Sequence, residues 1–478
     1  VSWLYRIITF SSCSILAAFI YKVFPPFKPS SPLPRSQYVQ CSKEVPIYTH
    51  IHTTMAARTQ RGSDESVVVS PTMAVHSVCE APPAGLFAHL NDFKNKHPLS
   101  DPGNHPSEHF KRHMSRFRYR MREWLAPYTA NQSEPLHRWQ TRVRTPALDK
   151  YFAYTALMGS HMFYVVVLPM PRWLGHSVVT RDLVYVLGHS IYLSGFLKDY
   201  WCLPRPGSPP LHRITLSKYT AREYGAPSSH TANATAVSLL LAFYIWQSGQ
   251  SVAVKAVCLV LAAAYYVTLV VGRVYCGMHG LLDIVSGSVI GLVCFAVRLV
   301  AREWLDFDRL SVQEWGRWFP AASCTFGLAT LFLHARPVDQ CPCFEDSVAF
   351  MGVIFGVESG DWLFPRVYGG VDYQIPFSWA QLGLGGSLLR VVSGVAMVIL
   401  WKNVASKPLI YSVLKLVMSD DRDPVRDKEL EELGRVEVPL HQHTPRIDIM
   451  GRFFIYAGIS AIVVLVCPLV FSRLGIYE

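Results

Sequence analysis

From residue 151 onward, apolar segments about 20 residues long follow one another, parted by short polar joints. Inside hydrocarbon every backbone N–H and C=O needs an internal partner, so segments of this length fold as helices. Spans are expected near residues 151–170, 178–197, 230–248, 252–272, 281–301, 317–335, 347–365, 386–403 and 452–472. The 347–365 segment fits least well, because it carries Glu358 and Asp361 and a charge inside a bilayer is costly unless it faces protein or a cavity. The expected fold is all-α, a polytopic membrane helical bundle. Composition agrees: 17% of the 478 residues are charged, against about 25% in ordinary soluble domains.

The ends and joints differ from this pattern. Val1 is the first residue, as in a fragment or an incomplete gene model, and residues 3–24 are apolar with few breaks. That stretch fits a signal anchor, a spanning helix or a translated artefact equally. Residues 25–110 are rich in Pro, Ser, Thr and His without apolar periodicity, a composition typical of disorder. A basic arm follows at 111–150, with Arg112, Arg116, Arg118, Arg120, Arg122, Arg138 and Arg142, and it contributes much of the formal net charge of +11. Its simplest reading is a juxtamembrane anchor to anionic lipid. No nucleic-acid recognition motif accompanies the charge, so no nucleic-acid partner is expected. The sequon Asn131-Gln132-Ser133 has meaning only if this region faces a lumen. Residues 404–451 are polar, and Asp420 to Arg435 mixes both signs like a solvated loop or helix. The 11 cysteines are scattered, and Cys258, Cys294 and Cys467 lie in apolar segments. Cys341-Pro342-Cys343 is too tight for a usual zinc knuckle, and no Asp-rich metal cluster is present, so no metal or other cofactor is expected. A disulfide between loop cysteines is left open.

Three short clusters carry the chemistry: Lys198-x6-Arg205-Pro206, Pro227-Ser228-Ser229-His230, and Gly272-Arg273-x5-His279-x3-Asp283. They supply three cations, two imidazoles and a carboxylate, which is a kit for holding a phosphate dianion, attacking it and protonating what leaves. Arginine offers a planar fork of donors suited to phosphate oxygens, and lysine acts more as a point charge. Ser228 and Ser229 open an apolar helical segment, and the free N–H groups of a helix start bind anions. His279 and Asp283 are four apart, so on a helix Asp283 can accept a hydrogen bond from Nδ1–H of His279, which fixes the tautomer and leaves Nε2 to attack. Any one of these residues alone is more often an interfacial His or a headgroup-anchoring Arg. The order of spans argues otherwise. Lys198 ends one span, His230 opens the next, Arg273 closes the return span and His279 opens the one after. All three clusters therefore fall on one face of the membrane. Tyr200, Trp201, Tyr219 and Tyr224 read as aromatics at that interface.

These residues resemble the type 2 phosphatidic acid phosphatase superfamily, which includes the haloperoxidases, over roughly residues 110–400. The family pattern has Gly where this chain has Ser229 and Ser where it has Gly272. The flanking residues Cys202 to Pro206, Leu211 to Thr215, Glu223 to His230, Gly277 to Gly280 and Cys341 to Ser347 resemble the sphingosine-1-phosphate and fungal long-chain-base-1-phosphate phosphatase branch. The resemblance implies a haloperoxidase-like catalytic core at 151–302; the apolar segments add further helices at 303–403 and a last helix with its tail at 452–478. It implies metal-independent hydrolysis of a sphingoid base phosphate in two steps. In that scheme His279, oriented by Asp283, is the nucleophile and His230 the general acid and base. Lys198, Arg205, Ser228, Ser229 and Arg273 hold the phosphate. Two alternatives remain: a broad phosphatase for phosphatidic or lysophosphatidic acid, and a transporter or scaffold using Glu358 and Asp361. The intact catalytic set speaks against the latter. The expected setting is the endoplasmic reticulum membrane, with membrane lipids as partners. The arm and Lys198 lie on the same side. The positive-inside rule points that side to the cytoplasm, whereas the resemblance implies the lumen, which is the expectation adopted.

Overall fold

The computed structural model describes residues 101–217, 220–304, 316–339, 341–368, 375–422 and 445–477. The expectations for residues 1–100 and for Tyr219 lie outside them. All regular structure among the described residues is helical. The arm forms α1 (Ser107–His113), α2 (Arg116–Leu125) and α3 (Ser133–Val143). Next come α4 (Pro146–Thr155), α5 (His161–Val167), α6 (Pro169–Trp173) and α7 (Ser177–Trp201). The central helices are α8 (Ser229–Gln247), α9 (Val252–Tyr275), α10 (Leu281–Trp304) and α11 (Phe319–Phe332). They are followed by α12 (Cys343–Tyr368), α13 (Trp379–Leu400), α14 (Ser406–Val417), α15 (Arg446–Ala461) and α16 (Cys467–Arg473).

Among the described residues, five helical stretches are long and apolar enough to cross a membrane: α9, α10, α12, the run Trp379–Val417 and the run Arg446–Arg473. The last two include single π turns at Trp401–Ala405 and Ile462–Val466. The chain is a multi-pass membrane protein. Four expectations are corrected here. The spans near 178–197 and 230–248 form as helices α7 and α8 but are not among those five stretches, because Arg181, Asp182, Lys198 and Asp199 dilute the first and Thr231, Asn233 and Thr235 the second. The span near 151–170 is not one straight helix but a pair bent by 60°, where Gly159 and Ser160 interrupt it. The span near 317–335 shrinks to 14 residues, about 21 Å at 1.5 Å per residue, which is short of a hydrocarbon core. The polar break at 404–451 begins later than expected, since helix continues to Val417.

The centre of the bundle is α7, packed against α8, α10 and α12, while α12 also packs on α11 and α15. Small residues set the closest approaches. A Cβ at Gly287 or Gly291 of α10 would stand 2.6 Å from the Ser228 carbonyl oxygen or 2.3 Å from that of Ala232, so α10 lies against the backbone of α8. Gly352 and Gly356 do the same for α12 against α15. Several buried charges within the helices are paired. Asp361 meets Arg172 at 2.7 Å and Arg181 at 3.3 Å, and Asp182 meets Arg298 at 2.6 Å. Glu358 accepts from Tyr185 at 2.7 Å and from Ser323. These pairs account for the doubtful span, because α12 gives Glu358 and Asp361 partners within the protein.

Candidate active site

The site lies at the C-terminal end of α7, where α8 and α10 begin and α9 ends. Cys202 ends α7 in the left-handed region, with φ 50° and its N–H donating to the Lys198 carbonyl. The chain then reverses into the loop that carries Arg205. Gly225 fits beneath this loop, where a Cβ would lie 2.5 Å from the Pro204 carbonyl oxygen. Gly225 N–H donates to Leu203 O at 2.8 Å.

Arg205 is the centre of the constellation. Its Nε donates to Glu223 O at 2.8 Å, and its Nη2 to Thr220 O at 2.9 Å. Its Nη1 donates to Met278 O at 2.7 Å and lies 3.0 Å from His279 Nε2. On the other side of the ring, His279 Nδ1 lies 3.1 Å from Asp283 Oδ2. With Nδ1 protonated and donating to Asp283, Nε2 is left as the acceptor that faces the cation. Gly280 N–H also donates to Asp283 Oδ2 at 2.9 Å, and the Asp283 carbonyl accepts from Ser228 N–H at 2.9 Å. That last bond ties the start of α8 to the start of α10. Arg273 is buried at the end of α9, and its Nε has no hydrogen-bond partner among the described residues.

His230 sits in the first turn of α8, beside the Ala156 carbonyl at the bend after α4. Gly159 makes the room, since a Cβ there would fall 2.4 Å from the imidazole. The structure therefore brings all eight predicted site residues to one place, but two hydroxyls are already engaged. Ser228 caps α8, accepting from Thr231 N–H at 3.3 Å. Ser229 accepts from Ser194 of α7 at 3.1 Å, so its side chain turns to the helix interface and leaves the backbone amide as its donor toward an anion. The space opposite Gly272 is filled by Phe152, whose Cδ1 would lie 2.9 Å from a Cβ at that position.

Glu223 was missed as a site residue. Its carboxylate pairs with Lys198 and lies 3.6 Å from Arg205. Three buried cations lie with the carboxylates of Glu223 and Asp283 in a desolvated place. Burial alone would raise the Glu223 carboxyl, but the Lys198 and Arg205 charges outweigh it and hold it below the usual range. Burial pushes the Arg205 guanidinium down to about 10, still charged at neutral pH. Burial and the same cations hold the His279 imidazole well below its ordinary range, hence neutral. Apart from its position in the flanking match, Glu223 gave no signal, because its pairing depends on how the 203–225 loop folds back.

The basic arm also differs from a plain lipid anchor. Arg118 Nε donates to Tyr200 O at 2.7 Å, while Arg122 donates to Cys202 O at 3.4 Å and Gly103 O at 3.1 Å. The two guanidinium groups satisfy carbonyls left open at the end of α7. Gln140 of α3 is buried and bridges His212 O and Tyr275 O, each at 2.8 Å. Tyr224 is fully buried, not interfacial, and donates to the Asp339 carbonyl at 3.4 Å.

Residues 180–306 match the PAP2 superfamily. A dihydrosphingosine 1-phosphate phosphatase of Saccharomyces cerevisiae is 52% identical over 382 residues, covering 79% of this chain and 92% of that protein. One from Schizosaccharomyces pombe is 31% identical over 389 residues, covering 74% and 91%. The lipid phosphate phosphatase delta of Arabidopsis thaliana is 30% identical over 392 residues, covering 76% and 92%. No solved structure matches. With the motifs gathered at one helix end and these relatives covered almost throughout, the chain belongs to the PAP2 superfamily, in its sphingoid-base-phosphate phosphatase branch.

Proposed function

We propose that this protein hydrolyses sphingoid long-chain-base 1-phosphates to the free base and phosphate, in the endoplasmic reticulum membrane, through a phosphohistidine. The contact that carries the reading is Arg205 Nη1 at 3.0 Å from His279 Nε2, with Asp283 behind the ring. A phosphate held by Arg205 lies against the only unprotonated nitrogen of His279. Lys198, Arg205 and Arg273 neutralise its equatorial oxygens, helped by the amides of Ser228 and Ser229. His279 Nε2 forms a bond to phosphorus as the bond to the lipid oxygen breaks. His230 gives that oxygen its proton. In the second step His230 takes a proton from water, whose oxygen displaces Nε2 and frees phosphate. The chain's own groups suffice for each proton transfer, so hydrolysis in excess chelator is the expectation.

The substrate class rests on the two fungal relatives, named for dihydrosphingosine 1-phosphate. A broader lipid phosphate phosphatase is the second reading, favoured by the name of the plant relative. The transporter reading loses its basis, because Glu358 and Asp361 are held in fixed pairs. Replacing His279 by Ala is expected to cut phosphate release by about 10³-fold or more, and retained turnover removes the nucleophile assignment. Side-by-side kcat/KM on dihydrosphingosine 1-phosphate and phosphatidic acid in the same mixed micelles decides the substrate. Equal values favour the broad reading.

A further inference from the structure

A second cluster of ligating side chains lies outside the catalytic set. His105 precedes α1, His109 lies on α1, and Asp339 lies in the loop between α11 and α12. His109 Nε2 is 2.9 Å from Asp339 Oδ1, and His105 Nε2 is 3.5 Å from the same oxygen. The three donor atoms lie within 4.8 Å of one another. One imidazole would satisfy Oδ1 as a hydrogen-bond partner, yet two converge on it with the same ring nitrogen. Four ligands at the 2.0–2.1 Å bond lengths of zinc stand about 3.3 Å apart around a tetrahedron, and the two measured separations bracket that value.

The carboxylate is fixed by backbone contacts. Gly103 N–H donates to Asp339 Oδ2 at 2.8 Å, which directs Oδ1 toward the imidazoles. The Asp339 backbone N–H donates to Tyr224 Oη at 2.7 Å. The two histidine side chains are 33% exposed and Asp339 is 9% exposed, so water can reach the fourth position of an ion held there. Two imidazoles with one carboxylate suit zinc or a neighbouring first-row ion and do not suit calcium or magnesium, which take oxygen ligands.

We propose that His105, His109 and Asp339 form a zinc-type divalent cation site that pins the N-terminal arm to the loop before α12. The ligands come from segments 230 residues apart, so a bound ion closes a long loop and holds the arm over the catalytic face. Tyr224, which Asp339 holds, follows Glu223 directly, so the site borders the phosphate-binding loop without entering it.

The test uses the full chain purified in detergent, stripped with chelator, incubated with Zn²⁺ and desalted before metal analysis. The native protein is expected to retain one zinc equivalent more than His105→Ala/His109→Ala and than Asp339→Asn. Zinc is also expected to slow proteolysis of residues 101–144 in the native protein alone. Both variants are expected to release phosphate within about twofold of native, which shows that they are folded. Equal zinc content in native and variant proteins overturns the proposal. Co²⁺ titration of the native chain needs no variant. Visible d–d absorption of a nitrogen–oxygen site that zinc displaces supports the assignment. Its absence, or a thiolate charge-transfer band in its place, overturns it.

Discussion

Glu223 and His279 show how single residues set the behaviour of the site. Glu223 occupies the neighbourhood that a phosphate needs, because Lys198 and Arg205 are both turned to its carboxylate. A phosphate entering the site has to share those cations with a like charge. Glu223→Gln keeps the shape and removes the charge, so inorganic phosphate should inhibit about 3- to 10-fold more strongly, an effect of about 1 kcal/mol. Competitive inhibition by phosphate measures this. Weaker inhibition would mean that Glu223 positions the cations more than it opposes the anion. His279 gives a pH prediction with a definite sign. Its imidazole is held well below the ordinary range by burial and by Arg205, so the reactive neutral form persists as pH falls. The acidic limb of kcat at saturating substrate is therefore expected below the ordinary histidine value of about 6.5. A limb at or above that value in the pH–rate profile would show that His279 is not held neutral. The catalytic groups were legible in the sequence because each lies in a short motif whose spacing is also its geometry: His279 reaches Asp283 across one helical turn. Glu223 was not legible, because its cations come from α7 and from the far side of its own loop.

At the scale of elements, the departures from the family pattern become packing facts. Gly272 on α9 faces Phe152 on α4, whose ring also lies 4.7 Å from that of Tyr275. The missing serine is therefore a place filled by a neighbouring helix. Gly272→Ser forces Cβ to within 2.9 Å of Phe152, and overpacking of this kind typically costs about 1–3 kcal/mol. Phe152→Ala alone opens a cavity and also destabilises. Combined with Gly272→Ser, it removes the clash, so the double variant should be more stable than the two single effects predict. Thermal unfolding of the four proteins in detergent measures this coupling. Additive losses would show that the two side chains do not meet. The same scale explains what the sequence concealed in the first span and the arm. Apolar composition from 151 to 170 fits a straight helix, but Gly159 bends it so that His230 fits against Ala156. Arg118 and Arg122 read as charges for lipid because their partners, the carbonyls of Tyr200 and Cys202, carry no sequence signature.

At the scale of the whole molecule, the bundle links the sidedness of the active site to that of the C-terminus. Lys198 lies in the last turn of α7, whereas Trp173 stands just before its first turn. Arg390 of α13 donates to Trp173 O and to Ile476 O, each at 2.9 Å. The end of the chain is thereby fixed beside the start of α7. Those 25 helical residues span about 37 Å at 1.5 Å per residue, enough to cross a hydrocarbon core. With α7 taken as a span, as the sequence predicts, the site and Ile476 face opposite compartments. The arm lies on the catalytic side, since Arg118, Arg122 and Gln140 bond there. Its positive charge alone is a poor guide to orientation, because two of its arginines are occupied with carbonyls of the protein. A lumenal active site requires a cytosolic C-terminus. An epitope appended after Glu478 is expected to bind antibody when only the plasma membrane is permeabilised. Exposed Asn131, on the catalytic side, is then expected to carry a glycan that Asn131→Gln removes. An epitope reached only after the internal membrane is opened would reverse the assignment and place the phosphate chemistry in the cytosol.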